Sequence, residues 1–234
     1  MRIFGGCFAL ILAFHLYAGV TGMDAWTGLS KPIIVGSLLA FVGVAAAIYG
    51  STKFSALVLS GLFLSLIGDV FLVFQEEDSI FFTAGLACFL LAHIAYTWAF
   101  SITYLNRHVI PLLKRQGWVM IIIVAYGLVF FNDLRPHLAS MAPAVMLYTL
   151  AITAMLLIAM NRQGRVGSRS FIWIASGATI FVVSDSFLAW NKFVRPIEHS
   201  HLIIMGTYGL AQLGIAFGAV EQIRDEKIGN RAYI

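Results

Sequence analysis

FSALVLSGLFLSLIGDVFLVF, residues 54–74, decides what kind of protein this is. One residue in it is charged, Asp69, and the rest would be at home in hydrocarbon. At 1.5 Å per residue, a helix of about 20 residues crosses the roughly 30 Å apolar core of a bilayer. Windows of the same character predict eight spans, at about residues 3–20, 33–49, 54–74, 80–104, 117–131, 139–160, 170–190 and 199–220. Backbone polar groups in lipid must be paired within their own segment, so each window reads as a helix and the fold class as an all-α polytopic membrane bundle. The connections are too short for a soluble unit, and residues 1–234 read as a single transmembrane helical domain.

Composition supports the same reading. Of the 234 residues 60% are hydrophobic and 11% charged, with a mean hydropathy of +0.90. A soluble fold cannot bury that much apolar surface, so the expected partner is the lipid bilayer. The net charge of +4 does not point to nucleic acid, because the cations are strung singly along connections and form no basic patch. The opening MRIFGGCFALILAFHLYAGV lacks a convincing cleavage site and reads as the first span, not as a signal peptide. Cys7 and Cys88 both fall in apolar runs, which argues against a disulfide framework.

The connections also suggest orientation. On the side shared by both termini lie Arg2, Lys53, Arg107, Lys114, Arg115, Arg162, Arg165, Arg169, Arg224, Lys227 and Arg231. The other side has Lys31, Arg135, Lys192 and Arg195, together with Glu76, Glu77 and Asp78. Cations accumulate on the cytoplasmic side, so both termini are expected there, in the inner membrane if the source is bacterial.

Asp69 has a counterpart. LIGDVFLVF (66–74) is echoed by VVSDSFLAW (182–190), which sets Asp185 in a second apolar helix, and both aspartates are expected about five residues before the outer ends of their spans. The shared Asp-x-Phe-Leu hints at two four-helix halves related as a parallel repeat. A carboxylate in a membrane helix is costly, and faces the bundle interior with a partner or a task. Structurally, Asp69 could pair with Lys31 or a tyrosine, and Asp185 with Ser184 or Ser186. Functionally, two carboxylates converging in a dry pocket cannot both ionise cheaply, so one holds a proton while the other stays charged, an acid and a base at neutral pH.

Other polar groups fall where they could complete such a pocket. His201, Met205, Tyr208 and Gln212 share one face of the last span, and His93 and Tyr96 share a face of the fourth, although counting residues sets His93 some 10 Å deeper than the aspartates. Tyr126 and Tyr148 read as packing residues. Gly61, Ser65, Gly68, Ser176 and Gly177 read as sites of close helix approach. His15, His93, His108, His137, His199 and His201 form no His-x-x-x-His or His-Glu-x-x-His pattern, so no metal ligand and no cofactor is expected. No Gly-x-Ser-x-Gly elbow or phosphate-cradling glycine loop occurs.

Taken in order, Lys31-Pro32, GLFLSLIGDVFL, then Phe81, Gly85, His93 and Tyr96 in AGLACFLLAHIAYTWAF, SDSFLAWNKF and TYGLAQLGIAFG resemble the YhhN-like lysoplasmalogenase family, over residues 31 to about 218. The resemblance implies an integral-membrane hydrolase that cleaves the vinyl ether of a lysophospholipid, the lysoplasmalogen, to a fatty aldehyde and glycerophosphocholine or glycerophosphoethanolamine. It implies Asp69 and Asp185 as catalytic residues, with Lys31, His93, Tyr96, Tyr208 and Gln212 in support. The family is distantly similar to membrane hydrolases such as alkaline ceramidases, many of which use zinc, but this chain lacks their paired helical histidines. Two rival classes stay open: a proton-coupled transporter using the paired carboxylates as a relay, and a protein that binds lipid without turnover.

Overall fold

The computed structural model describes residues 1–102 and 109–231, with side chains to residue 228. Arg107 and His108 lie outside the described residues, as does the side chain of Arg231. The elements are α1 (Arg2–Val20), α2 (Asp24–Tyr49), α3 (Lys53–Val73), α4 (Ser79–Ser101), α5 (Leu112–Arg115), α6 (Gly117–Leu134), α7 (Ala142–Met160), α8 (Ser168–Phe193) and α9 (Ser200–Arg231). Two 3-10 turns, Arg135–His137 and Ala139–Met141, join α6 to α7. All except α5 belong to segments long and apolar enough to cross a membrane, eight in all, so the chain is a multi-pass membrane protein. An even number of crossings returns both ends of the chain to one side.

Local chemistry starts the two helices that frame the site. Thr52 and Ser55 cap α3 reciprocally, with the Ser55 N–H donating to Thr52 Oγ1 (3.2 Å) and the Thr52 N–H to Ser55 Oγ (2.8 Å). Asp78 caps α4 by accepting from the Ile80 N–H at 2.9 Å.

Three boundaries differ from the expected spans. α2 begins at Asp24, nine residues early, with Pro32 inside the helix. Lys31 is therefore a helical residue facing the bundle and not a connection residue. α8 continues to Phe193, so Asp185 stands eight residues before its end while Asp69 stands four before Val73. The two carboxylates are not at matching distances from their helix ends. α9 runs to Arg231 because its polar last turns are paired: Arg224 with Glu221, Gln222 with Glu226 at 2.7 Å, and Lys227 Nζ with the Ile48 carbonyl at 2.6 Å. Hydropathy registers those residues as polar but not as paired.

One continuous apolar core joins α1–α4 with α7–α9. The tightest approaches need glycine. A methyl added at Gly177 of α8 would come within 2.7 Å of the Ala211 carbonyl and 2.8 Å of the Ile215 nitrogen on α9. Gly68 and Gly85 meet in the same manner between α3 and α4, each 3.3 Å from the other's carbonyl by the same construction of a methyl. α6 stands at the edge, with only Gly127 and Leu134 of its residues buried. Towards the end of the bundle where α7 stops, Arg162 is fully buried, donating to the Phe100 carbonyl and Ser170 Oγ at 3.2 Å and to Gln222 Oε1.

Candidate active site

The buried face of α3 runs through Gly61, Ser65, Gly68, Asp69 and Leu72, which brings Asp69 into the bundle at 1% exposure. Its Oδ2 accepts a hydrogen bond from the Tyr208 hydroxyl of α9 at 2.7 Å. Tyr208 in turn accepts from Gln212 Nε2 at 3.4 Å, and Gln212 Oε1 accepts from the Tyr96 hydroxyl of α4 at 2.9 Å. The i, i+4 spacing of Tyr208 and Gln212 makes this relay possible. Tyr96 fits only because position 61 is glycine, where a methyl would lie 2.4 Å from the ring. Tyr96 and Gln212 stand behind Tyr208 and position it.

Asp185 of α8 has different partners. The Tyr148 hydroxyl of α7 donates to its Oδ2, and His93 Nε2 lies 3.3 Å from the same oxygen and 2.9 Å from the Tyr148 hydroxyl. His93 is fully buried, edge-on to Phe181, and its Nδ1 has no hydrogen-bond partner among the described residues. A proton on Nε2 lets the ring donate to Asp185 and leaves Nδ1 as a bare acceptor. Counting from helix ends had set His93 too deep for this contact. Side chains lean towards the N-terminus of their own helix, and α4 and α8 run in opposite directions, so His93 and Asp185 lean towards each other.

Tyr148 is the residue that sequence reasoning missed, having been read as packing. Tyr126 was likewise read as packing and donates to or accepts from Ser186 Oγ at 2.7 Å. Neither Ser184 nor Ser186 caps Asp185: their hydroxyls donate to the Ile204 and Val182 carbonyls.

Asp69 and Asp185 line one chamber of about 240 Å³, together with Lys31, Gln75, His201 and Tyr208. The Lys31 side chain faces Asp69, and His201 Nε2 is buried with no hydrogen-bond partner among the described residues. The His201 ring also lies tilted against His15 (ring centroids 4.9 Å), whose Nδ1 meets Ser30 Oγ at 2.7 Å. Among the described residues no group of three or more His, Cys, Asp or Glu side chains could hold a metal ion.

The arrangement is internally duplicated. Each aspartate sits on the third long helix of a half, beside a residue from the second helix of the same half, Lys31 or Tyr148, and one from the fourth helix of the other half, Tyr208 or His93. The aspartates are 116 positions apart, Lys31 and Tyr148 are 117 apart, and His93 and Tyr208 are 115 apart. The spacing of Lys31 to Asp69 is thus the signal that would have singled out Tyr148.

Comparison with known proteins accounts for the order of these residues. Residues 7–219 match the YhhN family. The chain belongs to the YhhN family. Relatives include the lysoplasmalogenase TMEM86B of Sus scrofa, 35% identical over 82% of this chain and 75% of the relative. The human lysoplasmalogenase TMEM86B is 32% identical over 88% and 81%, respectively. A lysoplasmalogenase of Mycobacterium tuberculosis is 27% identical over 91% of this chain and 78% of its own length. No solved structure matches this YhhN-family chain.

Proposed function

We propose that this YhhN-family protein hydrolyses the vinyl ether bond of lysoplasmalogens, with Asp69 and Asp185 as its acid–base pair. The observation that carries the reading is that two carboxylates set in apolar helices, one from each half, line a single chamber in two different environments. The relatives named lysoplasmalogenase supply the substrate class.

Vinyl ether hydrolysis needs a proton delivered to the outer alkene carbon, which turns the C=C–O unit into an oxocarbenium ion. Water then adds to the carbon bonded to oxygen, losing its proton to a base. The resulting hemiacetal collapses, breaking its carbon–oxygen bond to the glycerol, and releases a fatty aldehyde and glycerophosphocholine or glycerophosphoethanolamine. One of the pair is the acid, and the other stabilises the oxocarbenium ion and takes the proton from water; Asp69 is held by Tyr208 and faces Lys31, and Asp185 is held by Tyr148 and His93. Each such group contributes about 10²- to 10⁴-fold in rate. Lys31, Gln75 and His201 face the space for a phosphate-bearing head. Tyr96, Gln212 and Tyr208 hold Asp69 in place. The excess of cations in the connections on the side of both termini favours a cytoplasmic location for them.

The test is turnover by purified protein in detergent, following aldehyde release from a lysoplasmalogen. Wild type yields aldehyde, and Asp69→Asn and Asp185→Asn each lose at least a hundredfold. Absence of aldehyde with wild type, or full turnover by either variant, defeats the assignment. Uptake of intact lipid into proteoliposomes with no aldehyde formed would favour transport instead.

A further inference from the structure

We infer that the narrow apolar cavity enclosed by α4, α6, α7 and α8 is the seat of the substrate's hydrocarbon chain, and that Asp185, in the wall it shares with the polar chamber, is where the vinyl ether comes to rest. The inference rests on the hydrolase reading above and deepens it by orienting the substrate.

The cavity is a narrow cleft, and its walls include Phe82, Leu86, Phe130, Leu134, Ile152 and Ala189. Four of the five hydroxyls in its wall are already committed. Tyr126 and Ser186 bond each other, Thr149 donates to the Val145 carbonyl, and Tyr148 donates to Asp185. A polar ligand would find few unpaired groups there, whereas hydrocarbon needs none. The neighbouring chamber is the reverse, with the polar side chains of Lys31, Gln75 and His201 in its wall. Asp185 and Leu188, one turn apart on α8, line both spaces. A lysoplasmalogen has the same division: hydrocarbon, then vinyl ether, then glycerol and phosphate. Laid across the partition with its chain in the apolar cavity, its reactive carbons fall beside Asp185 and its head reaches Lys31.

The duplicated architecture supplies a control within the molecule. A second apolar hollow, on α1 and α2, is lined by Leu10, Ile11, Phe14, Leu29 and Ile33. Each stands 116 positions before a lining residue of the first cavity: Tyr126, Gly127, Phe130, Val145 and Thr149. The hollow is thus the repeat's counterpart. Its inner wall is closed by the Ser30–His15 hydrogen bond and by His15 against His201, so it does not open to the carboxylates. Only one of the two equivalent spaces reaches the chemistry.

The decisive experiment uses a saturated ether lysophosphocholine, which cannot be hydrolysed, carrying a diazirine at the end of its chain. Irradiation with wild-type protein followed by peptide mass spectrometry is expected to place adducts on Phe130, Leu134, Ile152 or their neighbours. Adducts on the α1–α2 hollow, or only on lipid-facing residues, overturn the proposal. In parallel, Ala189→Phe shortens the cavity and is expected to lower turnover of long-chain against short-chain lysoplasmalogen by about tenfold or more, since one misfitting methylene in an apolar pocket is worth roughly 10- to 200-fold. Leu29→Phe, which adds bulk to the counterpart hollow, leaves that ratio unchanged. An unchanged ratio in Ala189→Phe also overturns the seat. Because photolabelling needs no turnover, adducts in the cavity without aldehyde release would uphold the seat while defeating the hydrolase reading.

Discussion

Gly177→Ala tests whether helix packing sets the geometry of the carboxylates. A methyl there would lie 2.7 Å from the Ala211 carbonyl, 2.8 Å from the Ile215 nitrogen and 3.1 Å from the Gly214 carbonyl carbon, all backbone atoms that no rotamer change can move. Ordinary contact begins at 3.4 Å, so α8 and α9 must separate by about 0.7 Å. α8 carries Asp185 and α9 carries Tyr208, the donor to Asp69, so the separation is felt at both carboxylates. Overpacking of this kind costs about 1–3 kcal/mol, and a misplacement near 1 Å at a reacting centre costs up to about 10²-fold in rate. The expected outcome is a lower thermal midpoint in detergent and a 10- to 100-fold fall in aldehyde release, although residue 177 lies two helical turns from Asp185. Gly36→Ala, where a methyl meets nothing within 4 Å, is the matched control and keeps wild-type stability and turnover. Wild-type behaviour in Gly177→Ala would refute the claim that the α8–α9 approach sets the site.

Further outcomes follow from single contacts. Tyr208→Phe removes the hydroxyl that donates to Asp69; hydrogen bonds to charged groups are worth about 1.5–3 kcal/mol, so turnover should fall roughly 10- to 150-fold with the fold intact by circular dichroism. Tyr148→Phe should behave likewise through Asp185, and a wild-type rate in either would remove that tyrosine from the site. Gly19→Ala would set a methyl 2.1 Å from the His201 ring, displacing it from the chamber wall. It should raise KM more than it lowers kcat, and add nothing on top of His201→Ala; additive effects of the two would break the link. Arg162→Met strips partners from Phe100, Ser170 and Gln222 and should destabilise by about 1–3 kcal/mol for each buried acceptor left unsatisfied, read as a drop in thermal midpoint, which Arg162→Lys does not restore because an ammonium cannot span the same acceptors.

Much of the fold is legible without coordinates because lipid imposes a length and a composition on every span. The windows at 3–20, 54–74 and 139–160 come within about three residues of α1, α3 and α7 at both ends. Where that constraint lapses, so does legibility. Lys31-Pro32 looks like a connection because charge and proline both interrupt an apolar run, yet α2 passes through them, with Lys31 turned to a polar chamber and not to lipid. The end of α9 looks like a tail because hydropathy counts Glu221 and Gln222 as polar without seeing their pairing.

The site divides along the same line. The sequence alone determined that Asp69 and Asp185 sit in apolar helices and face the protein interior, since lipid does not tolerate a carboxylate at that position in an apolar run. It also determined that Tyr208 and Gln212 share a face, because helical periodicity is a local property. Only the tertiary structure decided that Asp69 pairs with Tyr208 across 139 positions and Asp185 with His93 across 92. Only it decided that Tyr148 belongs to the site and Ser184 and Ser186 do not. The physical reason is that bilayer burial constrains each helix by itself, whereas the order of helices around a bundle comes from side-chain shape at crossings such as Gly177 against Gly214, and hydropathy carries no record of those.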